Sequence, residues 1–483
     1  MKTAPLFALF LLLFISPVFA TTYYLSPTGS DSNNGLSTGA SWLSPNHAVN
    51  CGDVIIAAAS TSYLSIYFNT GNWGTVTCAA GNNVAWLKCA TFDACKITYS
   101  GGGYGQAVWI DKSYWGMQGW EVSATGGQTS GCWYIAPAYS SPASLHHIVL
   151  ANNVANGCFG GGFSTGNNGN AGISFDYVAI VGNIAYNAAQ GNRECYSGIS
   201  IYQPLASDTL SGTHIYIAGN FSWANVDPSP CASGTPTDGE GIIVDSLDGG
   251  QGLGTVYAYQ VVVDNNLTFF NGGRGVLVAG HGNTLAPVYL RQNAAYGDNT
   301  ASNQSQYFCG EIESTAAGGA TTVNVQAFGN IAQSTINTGC GGLSPIYAWS
   351  LVNGNTTNVV HNNWIVGVGG DNTEIYNSGS FAYRPNNMVG TSAAFANPVN
   401  PGAPNCSSAS SVPACMATVI ADYKPTASGA SIYGYQVPSS TQTYDPLFPL
   451  WLCNVNLPSG LVSMGCLSEP KPTPPSNLIV TVS

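Results

Sequence analysis

Residues 261–266 read VVVDNN, and a short β-branched strand ending in asparagine returns throughout the middle of the chain. β-Branched residues favour strands, and asparagine tolerates the left-handed backbone geometry of tight turns. The other copies are HIVLANN (147–153), VAIVGN (178–183), IYIAGN (215–220), VYLRQN (288–293), VNVQAFGN (323–330) and VVHNN (359–363). Their final asparagines follow one another at intervals of 27 to 46 residues, which is typical of one coil in a repeat protein.

A second motif alternates with the first, because a glycine opens an alternating strand at 172–175, 198–201, 241–244 and 275–278. In GISIY at 198–202, alternation puts Ile199 and Ile201 on one face and Ser200 and Tyr202 on the other. Repeated strands with no helical pattern between them predict a parallel β-solenoid, in which equivalent asparagines stack about 4.8 Å apart. A β-sandwich would show turn signals every ~8–12 residues, and the sequence lacks that rhythm.

The composition describes an exported β-rich protein. Only 7% of the 483 residues are charged, 59 are glycine, and the net charge is −12. Residues 1–20 combine a basic start, an apolar run and small residues, so they are expected to be a secretory signal peptide. No later stretch has the ~18 apolar residues of a membrane span. We therefore expect a secreted, monomeric protein (extracellular or periplasmic) with no nucleic-acid or membrane partner.

The 14 cysteines suggest up to seven disulfides in an oxidising compartment. Pairing of neighbours along the chain is one hypothesis, and each bridge would then close a single loop or coil. It gives Cys51–Cys78, Cys89–Cys95, Cys132–Cys158, Cys195–Cys231, Cys309–Cys340, Cys406–Cys415 and Cys453–Cys466.

Two stretches carry a resemblance to a known family. TTYYLSPTGSDSNNGLST (21–38) with SWLSPNHAVNCGDVI (41–55) resembles the N-terminal cap of secreted right-handed parallel β-helix proteins of the pectate-lyase-like superfamily. GEGIIVD (239–245) and VVVDNNLTFFNGGRGVLVAG (261–280) are similar to the central coils of those proteins. The resemblance implies an all-β, right-handed parallel β-helix (solenoid) with an N-terminal cap and an irregular C-terminal wrap. The superfamily contains lyases, hydrolases, epimerases, esterases and adhesins, so the resemblance does not select one activity.

The domain prediction follows from the repeat and its ends. Residues 21–60 form the N-terminal cap and first strands, and residues 61–375 form the β-helix coils. Residues 44–50 are predicted to form a short capping helix. The Pro/Ser/Gly-rich residues 376–467 form an irregular wrap, and 468–483 form a Pro-rich linker and tail.

The central charges fall on a few equivalent positions. Glu240 and Arg274 both precede the glycine of the second motif, so stacking places them in one column on successive coils. Asp245 lies on the outward side of the same strand as Glu240, and His281 follows the Arg274 strand. Glu311 and Glu313 occupy the next coil. In a chain with so little charge this patch is a candidate site, and a register-holding ion pair between Glu240 and Arg274 is the equal alternative.

Two reactions suit these residues. A polysaccharide lyase acting on uronic-acid polymers would use Arg274 as base or carboxylate clamp, with Ca²⁺ held by Asp245 and Glu240 and with Glu311 and His281 as supporting acid/base groups. A glycoside hydrolase would use two of the same carboxyls on an extracellular polysaccharide. A non-catalytic glycan-binding or cell-surface structural solenoid is the third hypothesis. The tryptophans of the early coils, Trp109, Trp115, Trp120 and Trp133, are expected mostly in the core.

Overall fold

The computed structural model describes residues 20–424. The description omits 79–83, 102–104, 127–130, 141, 171, 192–194, 210–211, 229–235, 250–254, 280–287, 302–309, 316–324, 336–346, 353–358, 362, 368–374, 378–387 and 391–393. Within these bounds the chain winds through three long parallel sheets, which we number 1 to 3, and each coil contributes one strand to each sheet. The predicted parallel β-helix is therefore confirmed.

Sheet 1 has 11 described strands, and its strand bounds are Thr22–Leu25, Val54–Ala57, Ala85–Cys89, Trp115–Gln118, Ile148–Ala151, Val178–Val181, Thr213–Ala218, Gln260–Asp264, Val288–Arg291, Val325–Phe328 and Val359–His361. Sheet 2 follows after a tight turn and also has 11 described strands: Ser60–Leu64, Cys95–Tyr99, Trp120–Ala124, Val154–Cys158, Ile184–Tyr186, Phe221–Trp223, Leu267–Phe269, Ala294–Tyr296, Ile331–Gln333, Trp364–Val366 and Met388–Gly390.

Sheet 3 has nine described strands: Gln106–Ile110, Gly131–Ile135, Phe163–Thr165, Ile199–Tyr202, Ile242–Asp245, Val276–Ala279, Gly310–Thr315, Tyr347–Val352 and Ile375–Asn377. Alternation along each strand sends one set of side chains inward. Ile199, Ile201, Ile242 and Val244 are fully buried in the continuous core, as the sequence predicts. Trp115, Trp120 and Trp133 are also fully buried, which confirms the core assignment for those three.

The asparagine ladder lies at the turn from sheet 1 to sheet 2. Each described residue that precedes a ladder asparagine has a left-handed backbone, with φ of 62° at Gly182 and at Gly219 and 52° at Asn265. The side-chain Oδ1 of Asn220 accepts hydrogen bonds from the backbone N–H and the Nδ2 of Asn183, at 2.9 and 3.1 Å. The same pairing continues through Asn153, Asn183, Asn220, Asn266, Asn293, Asn330 and Asn363. These buried amides bond to one another from coil to coil and hold the coils in register.

The N-terminal cap is built differently from its prediction. Residues 44–50 are not helical, because the backbone N–H of Ser44 donates to Asp31 Oδ1 at 2.8 Å and Val49–Asn50 pairs in parallel with Val76–Thr77. Short 3-10 helices occur instead at Thr38–Ala40 and Ser65–Tyr67. The predicted capping helix is therefore wrong, since side-chain capping and strand pairing take its backbone groups.

Residues 394–424 lie against the outer face of sheet 2. They include the helices Val412–Cys415 and Ala417–Asp422. The ring of Tyr423 packs on Phe269 with centroids 4.8 Å apart, and Trp223 Nε1 donates to the backbone carbonyl of Gly402 at 3.0 Å. This segment belongs to the predicted wrap, whose remaining part up to residue 467 lies mostly outside the described residues.

Four of the hypothesised disulfides are present: Cys51–Cys78, Cys89–Cys95, Cys132–Cys158 and Cys406–Cys415. Cys195 is also disulfide-bonded. Its expected partner Cys231, the pair Cys309–Cys340 and the pair Cys453–Cys466 lie outside the described residues, as do residues 1–19 of the expected signal peptide. In the described part of the chain, no helix has the length and hydropathy to span a bilayer.

Candidate functional site

The outward face of sheet 3 carries the charges that the sequence singled out. Strand register places Tyr202, Asp245 and Ala279 side by side on successive coils. A second outward row joins Ser200, Ile243, Leu277 and Glu313. The two rows bring residues more than a hundred positions apart in sequence onto one surface of the solenoid.

Glu240 and Arg274 occupy the column that the glycine motif predicts, just before the sheet 3 strands. Glycine is required beside them because the coils approach closely, and a Cβ on Gly241 would lie 2.7 Å from the carbonyl oxygen of Gly275. Arg274 Nη1 donates to Glu240 Oε1 at 2.9 Å. Ser197, one coil earlier, donates its hydroxyl to Glu240 Oε2 at 2.8 Å. The predicted column is therefore confirmed as a contact.

Arg274 has a second carboxylate partner on the following coil. Its Nε and Nη2 donate to the two oxygens of Glu313, at 2.9 and 3.0 Å. We call Glu240, Arg274 and Glu313 the buried ion cluster, since their exposed fractions are 0%, 6% and 2%. Burial alone would lower the pKa of Arg274, but Glu313 and Glu240 raise it overall. The guanidinium therefore stays charged, with its donors directed at protein carboxylates.

The guanidinium of Arg274 pairs with both Glu240 and Glu313, so its charge partly offsets the effect of burial on their pKa values. Burial raises the pKa of Glu240 to about 7, although Arg274 and Ser197 pull it down. Burial likewise raises the pKa of Glu313, against the attraction of Arg274. The arrangement holds adjacent coils together and presents no free acid, base or cation to a ligand.

Glu311 contacts Asp298 and not Arg274. Its Oε2 accepts the backbone N–H of Asp298 at 2.8 Å, and both residues are fully buried. Asp298 ends a second amide ladder, because its Oδ1 accepts both the backbone N–H and the Nδ2 of Asn271. Burial raises the pKa of Asp298 to about 7, and burial and the charge of Asp298 raise that of Glu311. Glu311 thus contacts the residue that ends this ladder. Its catalytic role stays a prediction.

The expected calcium site does not match the donors present. Both oxygens of Glu240 are used by Ser197 and Arg274, and Asp245 Oδ1 accepts the hydroxyl of Ser246 at 3.2 Å. Across the part of the chain that the structure describes, no three His, Cys, Asp or Glu side chains are grouped to hold a metal ion. Calcium binding by Asp245 and Glu240 stays a prediction, and the proposed function makes no use of it. His281 lies outside the described residues.

Two acids at the edge of the buried ion cluster remain partly exposed. These are Asp238 and Asp245, which we call the acid pair. Burial raises the pKa of Asp238 well above its ordinary value, and the charges of Glu240 and Asp245 raise it further. Burial raises the pKa of Asp245 only to about 6. Asp238 therefore holds its proton more tightly than Asp245, which is mostly ionised near neutral pH.

Tyr202 lies next to the acid pair, since its Cα pairs with that of Asp245. Burial, then the charges of Asp245 and Asp238, raise the pKa of Tyr202 to about 12. Its hydroxyl therefore keeps its proton beside the two acids. Asp245 was predicted as a metal or orienting ligand, whereas Asp238 and Tyr202 were missed. The acid in TDGEG (237–241) was a visible signal for Asp238, but a glycine-rich stretch gives no alternation to fix its direction.

A column of stacked aromatic rings beside sheet 1 was not predicted from the sequence. Before the sheet 1 strands, the rings of Tyr114, His147, Tyr177, His214 and Tyr259 stack on successive coils with centroids 3.9 to 5.0 Å apart. Asp176 Oδ1 lies 3.0 Å from His214 Nδ1, and Tyr177 Oη lies 2.9 Å from His214 Nε2. Asp176, Tyr177 and His214 are fully buried, so this aromatic column is closed to a polymeric substrate.

Comparison with known proteins gives structural neighbours only. No protein-family model matches the chain, and no curated protein matches it. Pectate lyase Pel9A aligns with 16% identity and a TM-score of 0.40 over 69% of this chain and 77% of its own. The mannuronan C-5 epimerase AlgE6 A-module of Azotobacter vinelandii aligns with 16% identity and a TM-score of 0.36 over 72% and 91%.

The GH136 lacto-N-biosidase from Eubacterium ramulus aligns with 12% identity and a TM-score of 0.40, over 77% of this chain and 68% of its own. Sequence identity and TM-score are low in all three comparisons.

Proposed function

We propose that the chain is a secreted glycoside hydrolase that cleaves an uncharged extracellular polysaccharide on the outward face of sheet 3. The observation that carries the proposal is the acid pair. One partly exposed carboxyl lies before the sheet 3 strand Ile242–Asp245 and the other ends it. The charge of Asp245 acts on Asp238, and their surroundings give the two carboxyls different pKa values. Glycoside hydrolysis requires such a division between a protonated acid and an ionised carboxylate.

The roles follow from the protonation states. Asp238 would donate its proton to the glycosidic oxygen as the bond to the anomeric carbon breaks. Asp245 would either attack the anomeric carbon or take a proton from the attacking water, and the separation of the two carboxyls decides which. Tyr202, protonated beside Asp245, is suited to donate a hydrogen bond to a sugar hydroxyl or to the Asp245 carboxylate.

The charge of the face favours a neutral polymer over the uronic-acid polymer of the lyase hypothesis. Lyase action on a uronate needs a free cation for the substrate carboxylate. Arg274 is shared between Glu240 and Glu313, and among the described residues Arg291 pairs with Asp264 on sheet 1. With a net charge of −12, the protein repels a polyanion.

The test is an activity screen of the purified protein on neutral glycans and on polyuronates, with release of reducing ends as the readout. We expect reducing ends from a neutral glycan without chelator sensitivity. Asp238→Asn and Asp245→Asn should each lower the rate at least 100-fold, while Asp422→Asn, on the helix outside sheet 2, should leave it unchanged. Unsaturated products from a polyuronate, or full activity in both acid-pair variants, would overturn the proposal.

A further inference from the structure

The outward face of sheet 3 changes character toward the N-terminal coils. There Trp109 and Tyr134 are direct cross-strand partners, and Tyr139 follows in the next loop. The Trp109 ring meets Tyr134 edge-on at 5.2 Å and Tyr139 edge-on at 5.4 Å between centroids. We call Trp109, Tyr134 and Tyr139 the aromatic platform.

The aromatic platform is held in place and is not needed to fill the core. Trp109 Nε1 donates to the backbone carbonyl of Ala136 at 2.9 Å, which fixes the ring and the start of the loop. Tyr139 nevertheless keeps 71% of its surface exposed. A large aromatic ring left in water beside two others costs hydrophobic free energy, so a ligand that covers it gains that free energy.

A hydroxyl that lacks a protein partner adjoins the aromatic platform. Ser164 is the cross-strand neighbour of Tyr134 on the next coil and is only 7% exposed. Within the described residues, its Oγ has no hydrogen-bond partner. Its Oγ has almost no exposed surface, so a ligand reaches it only if neighbouring groups shift, and the hydrogen bond then removes the cost of the unpaired hydroxyl.

The charge around these groups selects the ligand. The row Trp109, Tyr134, Ser164 and Ser200 contains no charged side chain. The nearest acid along the chain, Asp111, accepts hydrogen bonds from Thr70 Oγ1 and the backbone N–H of Gly71, which direct it away. Aromatic faces attract the weakly positive C–H groups of a sugar ring, and an unpaired hydroxyl matches a sugar hydroxyl.

We propose that the aromatic platform and Ser164 form a second binding site for an uncharged pyranose ring of the substrate chain. The assignment of a glycan to this face rests on the proposed function. The strand of Tyr134 lies three coils from the strand of Asp245, which is about 14 Å at the usual strand spacing. The substrate is therefore a polymer or long oligomer of neutral pyranoses that spans this distance, and a disaccharide cannot reach both places.

The experiment measures binding of neutral oligosaccharides of two to eight units by calorimetry, with xylo-, cello- and manno-oligomers as probes. The full-length Asp245→Asn protein is used so that the probes stay intact. We expect affinity for one series to rise with chain length and then level off. Adding Tyr139→Ala should lower affinity for the longest probes about tenfold and leave the shortest unchanged. Tyr139→Phe should retain the affinity, and so should Leu64→Ala, which alters an exposed apolar residue on sheet 2.

Each outcome decides between the two proposals. Length-dependent binding that Tyr139→Ala removes supports the second site, even if no hydrolysis is found and the proposed function fails. Hydrolysis with equal affinity of the parent and Tyr139→Ala proteins for every probe overturns the second site alone. Absence of binding to any neutral series, or concentration-dependent dimerisation that Tyr139→Ala abolishes, also overturns the second site.

Discussion

Arg274 Nη1 lies 2.9 Å from Glu240 Oε1, although 34 residues separate the two along the chain. The contact exists because both residues precede a glycine that opens a sheet 3 strand on successive coils. Glu313, on the following coil, completes the buried ion cluster through both of its oxygens. Three consecutive coils are thus joined through the guanidinium of Arg274.

Removal of Arg274 should be strongly destabilising. Arg274→Met leaves two buried carboxyls without a cation, so the free energy of unfolding should fall by about 3–5 kcal/mol. Urea denaturation followed by circular dichroism measures the change. Lys424→Met is the control, because Lys424 is exposed and its replacement should cost only ~0–1 kcal/mol. Equal losses in the two variants would contradict the buried ion cluster.

The asparagine ladder should be the other main determinant of coil register. Asn220→Ala removes the acceptor of the backbone N–H and Nδ2 of Asn183, both in a fully buried place. Asn183 Nδ2 keeps its bond to the Leu150 carbonyl, but its second hydrogen and the backbone N–H lose their acceptor, which should lower the free energy of unfolding by about 2–4 kcal/mol. Asn46→Ala, at an exposed position of the cap, should change it by less than ~0.5 kcal/mol. A ladder variant as stable as this control would show that the amides are not coupled.

Much of the fold was readable from the sequence because its main signals are local. The pattern of a β-branched strand that ends in asparagine occupies only about six residues. This pattern predicted both the solenoid and the ladder. Alignment on the glycine motif predicted the contact of Glu240 with Arg274 for the same reason. The prediction of a capping helix was wrong because Asp31, thirteen residues away, accepts a hydrogen bond from the backbone N–H of Ser44.

The site was less predictable because the insertions between coils differ in length. Successive ladder asparagines lie 27 to 46 residues apart, so residues inside the insertions cannot be aligned from coil to coil. Asp298 and Glu311 meet across such an insertion, and Asp238 lies in another. The aromatic column was visible in retrospect, since His147 and Tyr177 each stand directly before a sheet 1 strand.

His147 should make the protein sensitive to acid. Burial, then the neighbouring His146, lowers the pKa of His147 to about 4, from 6.5 when exposed. Because the folded state disfavours the charged ring, stability is complete above pH 6.5 and falls as the pH drops toward 4. The loss should reach about 3 kcal/mol. Asp176, whose pKa is lowered below 3.8, acts only in a more acidic range.

The matched variant is His147→Tyr. Tyrosine occupies the equivalent place in the column at Tyr114 and Tyr177, with φ of 66° and 45° against 57° at His147. The variant should therefore keep the fold at pH 7 and lose most of the stability change between pH 6.5 and 4 in urea denaturation. An unchanged pH dependence in the variant would show that another group senses acid.

The pH dependence of kcat/KM on the neutral glycan that the screen identifies tests the central claim most directly. The rate should fall as the pH drops through about 6, because Asp245 then gains a proton. It should fall again above the raised pKa of Asp238, as that residue loses the proton it must donate. A bell-shaped profile whose acid limb disappears with the residual activity of Asp245→Asn is the predicted result. A rate that keeps rising into the alkaline range, with the acid limb intact in that variant, would contradict catalysis by the acid pair.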